Sequence, residues 1–154
     1  MRREDKYPET DTFKFFNANP HNKITTDCVI RAISGGLEMS YNDVVMELAA
    51  LQCKTGFDPS ENKAIDRYMK SKGWVRVKQP RKDDNTKYTG KEFCRWLSEN
   101  YPHGEVGNIV CNIGGHHTAV IKPIKDGKGY RYKVVDTWNS TRGCIGCCWT
   151  KEGL

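Results

Sequence analysis

The sequence lacks several features that would place it in familiar classes of protein. It contains no stretch approaching the ~20 consecutive apolar residues of a membrane-spanning helix. No apolar run follows the basic start at Met1–Lys6, so the start is unlike a secretory signal peptide. Internal repeats and low-complexity tracts are also missing. We therefore expect a cytoplasmic, globular protein without a membrane partner.

Signatures of disulfide frameworks, metal sites and phosphate loops are absent or incomplete. Seven cysteines are an odd number, and in a chain that is not exported they should be reduced thiols. Cys144 and Cys147 form a C-x-x-C, but a zinc ribbon needs a second such pair, which the sequence does not contain. Neither glycine motif of phosphate-binding loops occurs. We expect no metal and no cofactor.

The charge balance is mildly basic and has no nucleic-acid-binding pattern. The chain has 154 residues, with 25 Lys and Arg against 19 Asp and Glu, for a net charge of +6. The basic residues are scattered, and dense only at Met1–Arg3 and Lys78–Lys82, whereas nucleic-acid binders cluster them on one element. The length fits one domain. We predict a single domain over residues 1–154, with residues 1–24 as an N-terminal arm and no nucleic-acid partner.

Apolar spacing and capping signals predict helices in the first two thirds of the chain and strands in the last third. The predicted helices run from near Cys28 to Gly35-Gly36, 40–54, 61–72 and 89–100. After Pro102 the apolar period changes to two, which predicts strands at 108–113, 117–122, 130–136 and 144–149. The turn at 126–129 predicts a hairpin between the second and third of these. Helices followed by an antiparallel sheet make an α+β pattern.

Cys28 is the first candidate for chemistry, because it lies at the start of a predicted helix. The unpaired amides and the dipole there favour a negative charge, which lowers a thiol pKa, and the thiolate is the nucleophile. The alternative is a small apolar residue on the buried face of the helix, since free cysteine is among the most buried residue types.

A cysteine nucleophile needs a base and a group that orients the base. His116 and His117 precede an apolar strand, and Asp136 ends the next one. In an antiparallel hairpin the start of one strand lies near the end of the next, so Asp136 should reach a histidine at 116 or 117. The alternatives are a surface histidine pair and a solvated strand-end aspartate.

Together these residues follow the chain order of papain-like cysteine hydrolases. Residues 136–138, Asp-Thr-Trp, resemble the Asn-Ser-Trp of that family, and His116–Ala119 resembles its His-Ala-Val-Ala strand. Asn22 lies six residues before Cys28, where the family has its oxyanion glutamine. Residues 27–32, Asp-Cys-Val-Ile-Arg-Ala, are closest to small papain-fold proteins of bacteria and their phages, such as NlpC-like and bacteriocin-processing peptidases.

The resemblance implies a papain-like α+β fold, in which a nucleophile helix packs on an antiparallel sheet. Cys28 would be the nucleophile, His116 the base and Asp136 the residue that orients the base, with His117 as the alternative base. The backbone amide of Cys28 and the side chain of Asn22 would form the oxyanion hole. The last implied role is that of Trp138, which would shield the bond between Asp136 and the base from water.

The implied function is a thiol hydrolase that cleaves an amide, isopeptide or thioester bond in a protein or peptide substrate. One alternative is a catalytically silent, phage-encoded binding or inhibitor module, favoured by Val29 where the family has a tryptophan. Another is a deamidase or transglutaminase-like acyl transferase with the same triad. Arg31, one turn after Cys28, is placed to bind a carboxylate, either Asp27 or one from the sheet; the alternative is a surface arginine.

Overall fold

Five helices and six strands are distributed along residues 1–154 of the computed structural model, all of which are described. The helices are α1 (Arg3–Lys6), α2 (Cys28–Leu37), α3 (Tyr41–Thr55), α4 (Asn62–Ser71) and α5 (Gly90–Asn100). The strands are β1 (Phe13–Phe15), β2 (Val75–Val77), β3 (Ile109–Ile113), β4 (His117–Asp126), β5 (Gly129–Asp136) and β6 (Ile145–Thr150). They form one mixed sheet in the order β1-β5-β4-β3-β6-β2, so the α+β prediction is confirmed.

Local capping signals position the helices where the sequence predicts them. The Ser40 side chain accepts a hydrogen bond from the Asp43 N–H at the start of α3. At the start of α5, Thr89 and Glu92 form a full capping box. Each cap satisfies backbone donors that the first turn of a helix leaves unpaired.

The predicted end of the first long helix is wrong, because Gly35 and Gly36 lie within α2 rather than after it. The helix continues to Leu37, and Glu38 ends it with a left-handed φ of 56°. A Cβ at Gly36 would lie 2.5 Å from Cγ2 of Val110 on β3. The glycines therefore let α2 approach the sheet closely, a tertiary use that outweighs their weak helix propensity.

The sheet is mixed, which corrects the expected antiparallel sheet. β4 and β5 form the predicted hairpin, with Val120 opposite Val135 and Asp126 opposite Gly129. β1 pairs with β5 in parallel, with Phe13 opposite Val134, so part of the predicted N-terminal arm is an edge strand of the sheet. Parallel pairing needs a long crossover, and here most of the chain separates the two strands.

Helices cover both faces of the sheet, and each face has its own apolar cluster. Val110 and Val120 point toward α2, α3 and α4, whereas Cys111 and Ile121 point toward α5. This alternation follows from the two-residue period of a strand. None of the five helices combines the length and apolar character needed to cross a bilayer.

Candidate active site

Cys28 opens α2 and lies half-buried at its N-terminus, as the sequence predicts. The preceding residue, Asp27, makes no capping bond to the helix, because its carboxylate accepts from Arg31 and Tyr41 instead. The first N–H groups of a helix have no intrahelical acceptor and carry the positive end of its dipole. The Cys28 N–H is therefore available to an anion beside the Cys28 sulfur.

The structure places His117, rather than His116, beside Cys28 and Asp136. Nε2 of His117 lies 2.5 Å from Oδ2 of Asp136, and the same ring is near enough to the Cys28 thiol to lower its pKa. Because Nε2 faces Asp136, Nδ1 is the nitrogen left for the sulfur. His116 is exposed in the turn before β4 and lines a separate polar depression with Asn62. The structure thus brings the alternative candidate of the sequence analysis, His117, to Asp136, and it does not bring the preferred one, His116, there.

The register between β4 and β5 explains why His117, and not His116, meets Asp136. Val120 lies opposite Val135, so the next position along each strand brings Asp136 opposite Ala119. Side chains alternate between the faces of a strand, so His117 shares the face of Ala119 and Asp136, whereas His116 has the opposite parity.

Asp136 is buried and accepts four hydrogen bonds. Its Oδ1 accepts from Nη1 of Arg31 at 2.8 Å and from the Thr137 N–H at 2.7 Å. Its Oδ2 accepts from His117 and, at 3.1 Å, from the Ser140 hydroxyl. A carboxylate with this many donors is fixed in orientation and stays ionised despite burial. It can therefore hold the His117 ring in one tautomer.

Arg31 binds the two carboxylates that the sequence analysis named as candidates. Its Nε lies 2.9 Å from Oδ1 of Asp27, and its Nη1 reaches Asp136 on the sheet, so the carboxylate-anchor prediction is confirmed. Asn19 and Tyr41 donate to the other oxygen of Asp27. Sequence reasoning missed both of these residues and Ser140, because they come from separate segments without a local motif.

These contacts change the acidities of the central groups. Burial opposes ionisation of the Cys28 thiol, but hydrogen bonds from His117 and the Thr118 N–H outweigh it and lower the pKa of Cys28. Burial also opposes protonation of His117, but hydrogen bonds to Asp136 and Cys28 raise the pKa of His117 to about 9. The pKa of Asp136 is lowered, because His117 and Arg31 outweigh its burial. Together the shifts favour a thiolate–imidazolium pair.

Trp138 packs against the base, in the place where the sequence analysis puts it. Its ring centroid lies 5.0 Å from that of His117, with the planes tilted by 51°. The side chain is 37% exposed, so one side of the indole contacts the imidazole and the other faces solvent. This geometry is what shielding of the bond between His117 and Asp136 requires.

The structure does not bring Asn22 to Cys28, which corrects the expected oxyanion-hole side chain. Asn22 is exposed with a left-handed φ of 53°, and its side-chain oxygen accepts from Nδ2 of Asn17 at 3.5 Å. The turn between Asn19 and Asn22 rotates the side chain away. The Asn22 side chain is therefore held by Asn17, whereas the Cys28 N–H lies at the start of α2 beside the Cys28 sulfur.

An apolar cavity of about 220 Å³ adjoins Cys28. It lies between α2 and the strands β1, β5 and β4, and Arg31 and Asp136 are among the residues that line it. On the other side of the site, the depression lined by His116, Asn62 and Thr118 contains no apolar residue. The two sides of Cys28 therefore differ sharply in polarity.

The C-x-x-C segment is split between environments. Cys144 is exposed, Cys147 is half-buried and Cys148 is buried. The structure holds no group of three or more His, Cys, Asp or Glu side chains arranged to bind a metal ion.

Comparison of the chain with protein-family models, with curated proteins and with solved structures finds no match. The geometry of Cys28, His117 and Asp136 is therefore the main indication of what the protein does.

Proposed function

We propose that this protein is a papain-like thiol hydrolase with the triad Cys28, His117 and Asp136, acting on an amide, isopeptide or thioester bond of a protein or peptide. One observation carries the proposal: the half-buried Cys28 thiol lies close enough to His117 for that ring to lower the thiol pKa, and Nε2 of the same ring lies 2.5 Å from a buried carboxylate. A nucleophile, a base and an orienting group in contact are what covalent acyl transfer requires. The helix-start cysteine and the strand-borne histidine also support a papain-like fold.

The acylation step follows from the protonation state of the pair. The Cys28 thiolate attacks the carbonyl carbon, and the oxyanion that forms accepts a hydrogen bond from the Cys28 N–H. His117 then transfers its Nδ1 proton to the leaving nitrogen or sulfur as the carbonyl bond to that atom breaks. The products are an acyl thioester on Cys28 and a free amine or thiol.

Deacylation reverses the role of His117. Its neutral ring takes a proton from water, the hydroxide attacks the thioester carbon, and the carbon–sulfur bond breaks. The acid is released and the thiolate–imidazolium pair is restored. If an amine replaces water, the same site is an acyl transferase of the transglutaminase type; with water as acceptor and a side-chain amide as donor, it is a deamidase that releases ammonia.

The protonation states of Cys28 and His117 set the pH range of this cycle. Acylation needs ionised Cys28, so it declines as the pH falls below the lowered thiol pKa. It also needs protonated His117, so it declines as the pH rises above about 9. The expected profile is bell-shaped, with its upper limit at about 9.

A catalytically silent binding module remains the second candidate, and the position of Asn22 favours it. The Asn22 side chain bonds Asn17 rather than supplementing the Cys28 N–H, and removal of one oxyanion donor in a hydrolase costs about 10²–10³ in rate.

Intact-mass spectrometry with a panel of peptide thioesters tests the proposal. We expect an acyl adduct on Cys28 and release of the acid, with turnover lower by about 10²–10⁴ in His117→Ala. The matched control is Cys144→Ala, which removes an exposed thiol and should leave turnover unchanged. A folded protein that forms no adduct on Cys28 with any thioester would establish the binding module instead.

A further inference from the structure

The apolar cavity beside Cys28 lies at the interface between α2 and the sheet. α2 packs mainly on β4, and β5 and β1 follow β4 in the strand order. The cavity is partly open to solvent, and Cys28 is among the residues that line it. An apolar cavity that leads to a nucleophile is a site for part of a substrate.

Its walls are formed by small and branched apolar residues. Ala32 and Gly35 of α2 line it together with Val120 of β4 and Val135 of β5. A Cβ at Gly35 would lie 3.1 Å from Cγ1 of Val120, so α2 packs closely on β4 at this edge of the cavity. The volume of about 220 Å³ far exceeds the ~30 Å³ share of one water and suits a single large apolar side chain.

Two lysines without acidic partners border this cavity. Lys14 of β1 and Lys122 of β4 line it, and neither forms a salt bridge or hydrogen bond within the protein. On the same face Lys133, the neighbour of Lys122 across the hairpin, pairs with Glu9 at 3.2 Å. Because β5 separates β1 from β4, the lysines stand on strands about 10 Å apart, with Lys14 level with Val120 and Lys122 two residues further along β4.

We propose that this cavity binds a large apolar side chain in an acidic stretch of the acyl-donor peptide, with Lys14 and Lys122 facing the flanking carboxylates. This inference rests on the proposed function, because it takes Cys28 as the acyl acceptor. The apolar walls would select the large peptide side chain, and Lys14 and Lys122 would select its acidic neighbours. Because Cys28 also lines the cavity, the bound peptide would lie beside the sulfur. The polar depression at His116 offers no such apolar contact.

Binding measured by NMR with the Cys28→Ser protein tests this proposal without chemistry. The probes are three blocked tripeptides: Asp-Leu-Glu, Lys-Leu-Lys and Asp-Gly-Glu. We expect the methyl groups of Val120, Val135 and Ile124 to shift with Asp-Leu-Glu, which should bind about tenfold more tightly than either other peptide. Equal affinities, or shifts confined to other residues, would overturn the proposal.

Variants separate the contributions of charge and apolar contact. Replacing both cavity lysines, Lys14→Gln with Lys122→Gln, should bring Asp-Leu-Glu and Lys-Leu-Lys to similar affinity. Lys128→Gln at the exposed hairpin tip is the control and should leave the affinities for both peptides unchanged. Ala18→Leu, at a half-buried wall position, should abolish the preference for leucine over glycine. Amide spectra report whether each variant is folded.

Failure of this inference differs from failure of the proposed function. If thioesters acylate Cys28 but the three peptides bind equally, the hydrolase remains and the cavity assignment falls. If Asp-Leu-Glu binds as expected but Cys28 is never acylated, the cavity is a peptide site on a silent module. Selective shifts with decanoate and none with the peptides would assign the cavity to a fatty acyl chain and overturn the proposal.

Discussion

At the scale of single residues, the site depends on one arginine held between two carboxylates. Arg31 is buried, as are Asp27 and Asp136, and each carboxylate has further donors. Removal of charges from water is costly, so such a group persists only when every member is paired. Arg31 keeps Oδ1 of Asp136 occupied, which leaves Oδ2 for His117.

Arg31→Ala should lower the free energy of unfolding by about 3–5 kcal/mol, because it leaves two buried carboxylates without their cation. Urea unfolding measures this loss. The control is Arg131→Ala, whose exposed pair with Asp126 should contribute no more than about 1 kcal/mol. Equal losses for the two variants would show that the buried network does not stabilise the fold.

The lowered pKa values of Asp27 and Asp136 give a defined dependence of stability on pH. A depressed folded-state pKa adds stability above the unfolded value of 3.8, and this stability disappears as the pH falls through the folded value. We expect the free energy of unfolding to fall on acidification below 3.8. Asp27→Asn should make this fall of the unfolding free energy with pH less steep. If the pH dependence is unchanged in that variant, Asp27 is not one of the groups that cause it.

At the scale of elements, two units meet at the site. Helix α2 supplies Cys28 and Arg31, and the hairpin of β4 and β5 supplies His117 and Asp136. The distance between the units depends on how closely α2 packs, and Gly36 is the point of closest approach to β3. The triad geometry is therefore set in part by a residue that does not touch it.

Gly36→Ala should destabilise the protein by about 1–3 kcal/mol, because the added Cβ overlaps Val110. Gly35→Ala is the comparison: its Cβ meets Val120 at 3.1 Å, and the gain of up to ~1 kcal/mol in helix propensity offsets that contact. Urea unfolding distinguishes the two. A Gly36→Ala protein as stable as the wild type would mean that α2 can move away from the sheet freely.

The sequence predicts the elements well where the signal is local. The caps at Ser40 and Thr89 and the turn at 126–129 depend on neighbouring residues, and all three are confirmed. The end of α2 is missed because Gly35 and Gly36 serve contacts with the distant sheet. Propensity alone does not contain that information.

At the scale of the whole molecule, β1 links the start of the chain to the site. Its pairing with β5 positions Phe15 beside Asp136, and the chain then returns to Cys28. This parallel pairing joins residues more than a hundred positions apart, so no local pattern predicts it. Asn19, Tyr41 and Ser140 lie within 14 positions of the carboxylates they bind, but they belong to no motif that marks them, so the sequence does not identify them.

Phe13→Ala should lower the free energy of unfolding by about 3–5 kcal/mol, because the side chain is fully buried under β5. Phe16→Ala is the matched control, since Phe16 is 58% exposed, and should cost less than about 1 kcal/mol. Thermal or urea unfolding gives both values. Similar small losses would show that β1 is only loosely attached to the sheet.

The choice between the two histidines shows how a whole-molecule register decides a single residue. Similarity to the family strand favours His116, whereas the parity shared with Asp136 requires His117. The sequence shows which positions of β4 share a face, but this decides between the histidines only once the β4–β5 register is known. Pro123 within β4 makes that register hard to predict.

The most direct test of the central claim is the pH dependence of Cys28 alkylation by iodoacetamide, followed by peptide mass spectrometry. In the wild type and His116→Ala, we expect Cys28 to react with a midpoint below that of exposed Cys53, the internal reference. In His117→Ala the midpoint should rise to that of Cys53 or above. A Cys28 that titrates with Cys53 in the wild type, or that responds to His116 and not to His117, would contradict the triad.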